Sequence, residues 1–134
     1  MERALETFVW QRAKNRREYC QISQADLNLS FEVDHIIAEH HQGPTRANNL
    51  CFACFACNRY KGPNVAGVDP KTKKIVPLFH PRRHKWSRHF RWDGPTLVGL
   101  TPNGRATVTT LKINLDYRIS LRQGLIDEGG FPPK

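Results

Sequence analysis

The chain has 134 residues, which is room for one compact domain but not for two. It is 39% hydrophobic and 25% charged, and no apolar run approaches the ~20 residues of a membrane-spanning helix, so the composition excludes both an extreme polyelectrolyte and a membrane-embedded protein. The 21 Lys and Arg residues outnumber the 12 Asp and Glu residues and give a net charge of +9, which favours an anionic partner.

The N-terminal segment carries apolar residues on one helical face. Ala4, Leu5, Phe8 and Val9 follow helical spacing, which predicts an amphipathic helix over residues 2–16. The segment also mixes charged with apolar residues and lacks the uninterrupted apolar stretch of a secretory signal. We therefore expect a cytoplasmic protein.

Two strands and a short helix are predicted in the middle of the chain. Residues 31–37 are apolar and rich in residues that favour strands. Residues 49–53 can form a second strand that runs back beside the first. The segment 57–61 has the character of a short helix, which Gly62 and the proline after it would end.

Asp34 and His35 interrupt the apolar pattern of the first strand. Functional sites are the places where a sequence is expected to break its own patterning. Because neighbours in a strand point to opposite faces, one of these side chains can face a metal ion while the other faces water. Both are therefore candidate functional residues.

The region after the short helix is dense in Gly, Pro, Asn and Lys, which predicts a loop over residues 61–74. Residues 71–92 hold eight basic residues and no acidic one. A solvated loop explains such a run as well as a binding surface does, but Trp86 and Trp92 favour an ordered strip that contacts phosphates. The basic residues of this strip are Lys71, Lys73, Lys74, Arg82, Arg83, Lys85, Arg88 and Arg91.

A hairpin is predicted next, with strands near residues 88–92 and 96–100 and a turn at Asp93-Gly94. Thr101 followed by a proline is typical of a helix start, which predicts a helix over residues 102–113. Asn114 can cap a last helix that ends before the glycine pair at 129–130.

Four cysteines are present, and three of them, Cys51, Cys54 and Cys57, fall within seven residues. In a cytosolic chain, closely spaced cysteines are more often metal ligands than disulfide partners, because the cytosol keeps thiols reduced. Cys20 is the fourth.

An ordered set of residues runs through the middle of the chain: Asp34-His35, then Asn49, then Cys54-x2-Cys57, and directly afterwards Asn58 and Lys61-Gly62. This set, over residues 17–62, resembles the HNH endonuclease family. The tail over residues 78–108 also resembles the accessory region of small bacterial members of that family, of the cyanobacterial type. The resemblance implies an α+β fold: a ββα-metal HNH core with an N-terminal helix and a C-terminal extension of a hairpin and helices.

The resemblance also implies one HNH nuclease domain over residues 1–134. Its core would cover about residues 17–62, a basic loop residues 63–92, and an accessory hairpin with helices residues 93–130.

The resemblance assigns a role to each polar residue of the core. Asp34 and Asn58 would bind one divalent cation, Mg2+ or Mn2+, which carboxylate and amide oxygens suit. His35 would be the general base, since an imidazole can take a proton from water at neutral pH. Asn49 would hold the His35 ring in orientation through a contact between its side chain and the backbone.

Many family members hold a structural zinc ion with two C-x2-C pairs. In this chain the first pair is broken, because position 17 is Arg17 and only Cys20 remains. Cys20, Cys54 and Cys57 are the expected ligands, with Cys51 as an uncertain fourth. Alternation in a strand would turn Cys51 away from Cys54 unless a bulge intervenes. The alternative is a lapsed site whose thiols pack as small apolar groups.

These features together predict a metal-dependent DNA endonuclease that uses one metal ion and a histidine base to hydrolyse phosphodiester bonds. The alternative is a catalytically silent zinc-knuckle module that binds nucleic acid. The endonuclease would act on DNA, contacted mainly through its phosphates, whereas the binding module would coat DNA or RNA with the same basic surface. The residues expected to bind the nucleic acid are Arg59, Lys61, Lys73, Lys74, Arg82, Arg83, Lys85 and Arg88.

Overall fold

The computed structural model of the protein describes residues 1–23 and 31–133, without the side chain of Phe31. Within these residues the chain forms helices and three two-stranded antiparallel sheets, which confirms the α+β class. The helices are α1 (Arg3–Arg12), α2 (Phe55–Lys61), α3 (Trp86–His89), α4 (Pro102–Thr110) and α5 (Asp116–Asp127). The strands are β1 (Phe31–His35), β2 (Leu50–Cys54), β3 (Ala66–Val68), β4 (Ile75–Pro77), β5 (Phe90–Asp93) and β6 (Thr96–Gly99).

The chain divides into two compact units. The first unit contains Met1–Val65 and His80–Arg83, and the second contains Ala66–Phe79 and the chain from His84 onward. The expectation of one HNH domain over residues 1–134 stays a prediction. No helix among the described residues has the length and apolar character that a membrane crossing requires.

The first unit is built on the antiparallel pair β1–β2, in which His35 lies opposite Leu50. One face of this pair packs against α1, where Val9 joins Leu50 and Phe52 in a buried core with Val33 at its edge. Because side chains alternate along a strand, Asp34 lies on the other face, where it meets α2. The β-hairpin therefore has an apolar side and a polar side.

Helix α1 is shorter than predicted. It ends at Arg12, whose guanidinium donates hydrogen bonds to the carbonyls of Ala47 and Leu50 at 2.9 and 2.7 Å. Lys14 and Asn15 then adopt left-handed backbone conformations that a helix cannot contain. The helical spacing of the sequence did not reveal this stop.

Two boundaries near the second strand also differ from the prediction. Asn49 lies in a short 3-10 turn, Ala47–Asn49, and the strand begins one residue later. Helix α2 begins at Phe55, two residues earlier than expected, because Cys54 Sγ accepts a hydrogen bond from the Cys57 amide and so caps the helix. Its predicted end is confirmed, since Gly62 follows the last helical residue.

The second unit contains elements that the sequence did not predict. Strand β3 lies inside the stretch expected to be a loop at 61–74, and the wider segment 63–92 also contains β4 and α3. The three-residue strands are too short, and β4 too exposed, to give a clear alternation of apolar and polar residues.

The hairpin β5–β6 and the start of α4 confirm the prediction for this region. Thr101 Oγ1 accepts a hydrogen bond from the Gly104 amide, as a helix cap should. Asn114 does not cap α5. Its side chain instead bonds both the amide and the carbonyl of Leu97 and accepts a hydrogen bond from Arg122, so it ties the hairpin to the last helix.

Candidate active site and metal centre

The face of β1 that packs against α2 carries two carboxylates. Asp34 Oδ2 lies 3.2 Å from Lys61 Nζ, and both side chains are buried. Two positions earlier in the strand, the Glu32 carboxylate accepts a hydrogen bond from Asn58 Nδ2. Residues two apart in a strand and three apart in a helix share a face, so the two contacts run side by side. The predicted cation ligands Asp34 and Asn58 therefore lie at one interface between strand and helix.

The Asp34 carboxylate is incompletely satisfied. Lys61 forms an ion pair with Oδ2, but no donor among the described residues completes a hydrogen bond of good geometry to that oxygen. Burial raises the pKa of Asp34, and the nearby Lys61 ammonium group offsets this only in part. A buried carboxylate short of donors is costly unless a cation joins it. The donor chemistry of this site therefore fits a hard divalent cation.

Lys61 is placed differently from the expectation that it contacts DNA. Only 2% of it is exposed, and its ammonium group donates a hydrogen bond to the His35 carbonyl at 3.1 Å besides pairing with Asp34. Its charge is thus directed into the site and is not presented to solvent.

His35 lies at the end of β1 and its side chain is 16% exposed, so the ring is not sealed in the core. Its Nε2 atom lies 2.9 Å from Thr45 Oγ1 and 3.4 Å from a carboxylate oxygen of Glu39. These partners belong to the connection between β1 and β2. The two neighbours Asp34 and His35 therefore face different groups, as alternation along the strand predicts.

Asn49 closes the connection that follows His35. Its side-chain oxygen accepts a hydrogen bond from the Ile37 amide at 2.9 Å, and its nitrogen donates to the carbonyls of Ile37 and Pro44 at 3.0 and 2.9 Å. Gly43 packs against this contact so closely that an added Cβ would come 1.7 Å from the Ile37 oxygen. Asn49 thus fixes the backbone two residues beyond the imidazole.

Three thiols of the first unit converge. The Sγ atoms of Cys20, Cys54 and Cys57 all lie within 4.8 Å of one another, and all three residues are buried. Hydrogen bonds with the neighbouring thiols, together with burial, raise the pKa of Cys57. A metal ion bound here would replace those thiol protons.

Cys51 does not join this group. It lies opposite Asp34 in the β1–β2 register and contacts the Tyr19 hydroxyl. Burial raises the pKa of the Cys51 thiol, and its place opposite Asp34 separates it from the three converging thiols. The expected difference in facing between Cys51 and Cys54 therefore holds, with no bulge to correct it.

Arg17 holds the turn that carries Cys20. It is 1% exposed, and its guanidinium donates hydrogen bonds to the carbonyls of Ile22 and Ser23 at 3.3 and 3.1 Å. The backbone amide of Arg17 also bonds the Ile22 carbonyl. In place of a second cysteine, the chain therefore closes this turn with a buried arginine.

The residues expected to bind DNA are mostly exposed. In the first unit Arg59 and Arg83 are exposed, whereas Arg82 is largely buried and forms an ion pair with Glu18. The exposed residues of the second unit are Lys73, Lys74, Lys85 and Arg88. Among the described residues of the first unit, Arg82 is thus the one residue of the basic strip whose charge is neutralised by an ion pair.

Sequence reasoning missed two residues of this site, Glu32 and Thr45. Glu32 could have been found by alternation, since it lies two positions before Asp34 in the same strand. Thr45 carried no comparable signal, because the loop conformation alone brings it to His35.

A scan against protein families matches residues 18–64 to the family HNH endonuclease. The matched segment contains Asp34, His35, Asn49, Asn58 and the three converging thiols. Over residues 18–64 the chain is similar to the HNH endonuclease family. Searches of curated proteins and of solved structures gave no match to this chain. This similarity points to a nuclease-type activity on nucleic acid, and the cysteine group could hold a metal ion.

Proposed function

We propose that this HNH protein is a metal-dependent DNA endonuclease that hydrolyses phosphodiester bonds with His35 as its general base. The observation that carries the proposal is the buried, under-satisfied Asp34 carboxylate next to a partly exposed imidazole, within the family-matched segment. In a protein that only binds DNA, a buried carboxylate of this kind would lower the stability of the fold without serving the function.

His35 would take the proton from the attacking water. When Nε2 donates its proton to Thr45 Oγ1, the lone pair of Nδ1 is left to accept a proton. Asn49 would keep the ring in place by fixing the backbone at Ile37. Thr45 and Asn49 thus orient the base and do not themselves touch substrate.

Asp34 and Asn58 would hold one divalent cation, Mg2+ or Mn2+. When bound, this ion supplies charge that stabilises the scissile phosphate and the leaving oxygen. Lys61 would keep the Asp34 carboxylate paired within the fold and steady the His35 backbone through its carbonyl.

DNA would be gripped through its phosphates by the exposed basic residues of each unit. Such contacts set the position of the duplex without reading its bases, so we propose little sequence specificity. The exposed arginines Arg59 and Arg83 are the candidates in the first unit.

Cys20, Cys54 and Cys57 would bind a structural zinc ion as thiolates. Zinc analysis of protein purified without a metal-affinity tag tests this part, and about one equivalent per chain is expected. Well under half an equivalent would favour thiols that pack as small apolar groups. We also propose a cytoplasmic location, where the reducing cytosol would keep these thiols available to the metal.

A plasmid-nicking assay with Mg2+ tests the catalytic proposal. His35→Ala should abolish cleavage while duplex binding without added divalent cation stays within about twofold of wild type, because the base is lost and the basic residues remain. His41→Ala, an exposed histidine in the same connection, is the matched control and should cleave normally. Wild-type protein that binds DNA but never cuts it in Mg2+, Mn2+ or Ni2+ would support the alternative, a silent zinc-knuckle module that binds nucleic acid.

A further inference from the structure

The outer face of the β3–β4 hairpin is apolar and open. Val68 and Ile75 lie directly opposite each other, and their exposed fractions are 49% and 77%. Ala66 and Pro77 form the other cross-strand pair on this face. On the inner face Gly67 lies so close to α4 that an added Cβ would come 2.2 Å from a side-chain oxygen there. One face is thus packed, and the other is available to a partner.

The turn of this hairpin is held by hydrogen bonds to Asp69 and is positively charged. Its three lysines, Lys71, Lys73 and Lys74, are exposed. Its one carboxylate, Asp69, is buried and accepts hydrogen bonds from Arg105 at 2.8 and 2.9 Å. It also accepts hydrogen bonds from the Lys71 amide and the Thr72 hydroxyl. The turn therefore presents only positive charge to solvent.

We propose that the β3–β4 hairpin lies in the major groove of duplex DNA, with its lysines on phosphates and the Val68–Ile75 pair against sugars and base edges. A two-stranded ribbon fits the width of the major groove, and lysines at the tip would reach the flanking backbone. The charge of the turn favours DNA over an apolar protein partner. This inference rests on the proposed function, because it assumes that the substrate is duplex DNA.

Two hairpin variants separate the lysine contacts from the apolar contacts. We expect the triple variant Lys71→Ala, Lys73→Ala, Lys74→Ala to weaken duplex binding at least tenfold in low salt and to reduce the salt slope by about 2–3. Val68→Thr with Ile75→Thr keeps the β-branched side chains and all the charge. It should weaken binding about fivefold at every salt concentration and leave the slope unchanged.

The measurement is fluorescence anisotropy of a labelled duplex without added divalent cation, with Tyr117→Ser as the control for an exposed apolar residue of the same unit. If the double threonine variant binds the duplex as wild type does, the proposed contact between the Val68–Ile75 pair and the groove is ruled out. If both hairpin variants bind as wild type while wild-type protein still cleaves, this inference alone fails. If wild-type protein binds no duplex, the proposed function fails with it.

A separate observation concerns Glu32. An ionised carboxylate only accepts hydrogen bonds, so the Asn58 amide must turn its nitrogen toward Glu32. The amide oxygen is then the group that remains for the cation. We infer that Glu32 is a positioning residue that sets this orientation. The inference rests on the proposed cation site.

Binding of Mn2+ to the protein alone, followed by the EPR signal of the free ion, tests the role of Glu32. Glu32→Ala should weaken Mn2+ binding about fivefold, and Glu32→Gln should restore most of it, since its carbonyl oxygen can accept the same hydrogen bond. In an Asn58→Asp background, Glu32→Ala should cause no loss, because a carboxylate has no wrong orientation. An equal loss in both backgrounds would mean that Glu32 acts on the ion directly and would overturn the positioning role.

If Glu32→Ala binds Mn2+ as wild type does, the inference fails and the cation site stands. If wild-type protein binds no Mn2+, the cation site of the proposed function fails as well. Circular dichroism confirms that each variant is folded, so a loss of binding can be assigned to the site.

Discussion

Among the described residues, each unit of the molecule contains one buried aspartate paired with a cationic side chain, and the two pairs are built differently. Asp69 in the second unit accepts two hydrogen bonds from Arg105, one from a backbone amide and one from a hydroxyl. Asp34 in the first unit has the Lys61 ammonium at 3.2 Å and a carboxylate oxygen that lacks a well-formed hydrogen bond from the described residues.

The pKa values of the two carboxyl groups move in opposite directions for this reason. Hydrogen bonds from Arg105 and from the turn hold the pKa of Asp69 well below its usual range. Burial raises the pKa of Asp34. A carboxylate with a full set of donors stabilises the fold, whereas one with a partial set costs stability until a further cation arrives. The difference distinguishes Asp69, which stabilises the fold, from Asp34, which is suited to a cation site.

The largest expected effect is on cleavage. Asp34→Asn should reduce the cleavage rate at least about 100-fold, because it removes the charge that would hold the cation. Asp69→Asn should cleave within a few-fold of wild type at temperatures where circular dichroism shows it folded. A folded Asp69→Asn protein that loses cleavage as severely as Asp34→Asn would break the comparison.

The next effect is on stability. Lys61→Met should lower the free energy of unfolding by about 3 kcal/mol, because it leaves the Asp34 carboxylate buried without a partner. Urea denaturation measures this loss. Mg2+ at about 10 mM should restore part of it, because an ion that binds the native state stabilises that state. Lys14→Met, at an exposed lysine of the same unit, should change little. A loss that Mg2+ leaves untouched would argue against a cation at Asp34.

The smallest effect is on acid stability. The pKa of Asp69 is lowered by folding, so its contribution to stability is fully present above its unfolded pKa of about 3.9 and is lost as the pH falls below that value. The Tm of wild type should therefore approach that of Asp69→Asn as the pH is lowered from about 6 to about 2. Asp127→Asn, at an exposed position, should run parallel to wild type throughout.

The sequence predicted those parts of the fold that depend on local chemistry. The Thr101-Pro102 pair marks the start of α4 because the cap needs only residues within one turn. Asn114 carries the same local signal, but its amide is used by Leu97, seventeen positions earlier in the chain. The residues next to Asn114 in the sequence do not indicate that its side chain contacts the β5–β6 hairpin. Its role could therefore not be predicted.

The residues of the candidate site likewise divide into those that the sequence predicts and those that depend on contacts distant in the chain. Ordered motifs gave Asp34, His35, Asn49 and Asn58 as candidates, and the structure brings Asp34 and Asn58 to one interface. Thr45 could not be anticipated, because its hydroxyl reaches the His35 ring only through the path of the connecting loop. The burial of Lys61 was also hidden, since a lysine in the last turn of a short helix is ordinarily exposed.

The tight packing at Gly43 limits how this protein can be altered. Any side chain there would strike the Ile37 carbonyl and displace Asn49, so a saturation library at this codon should return glycine alone among variants that fold. Variants of this fold with new activities would have to keep glycine at position 43, where the backbone passes close to the Ile37 carbonyl.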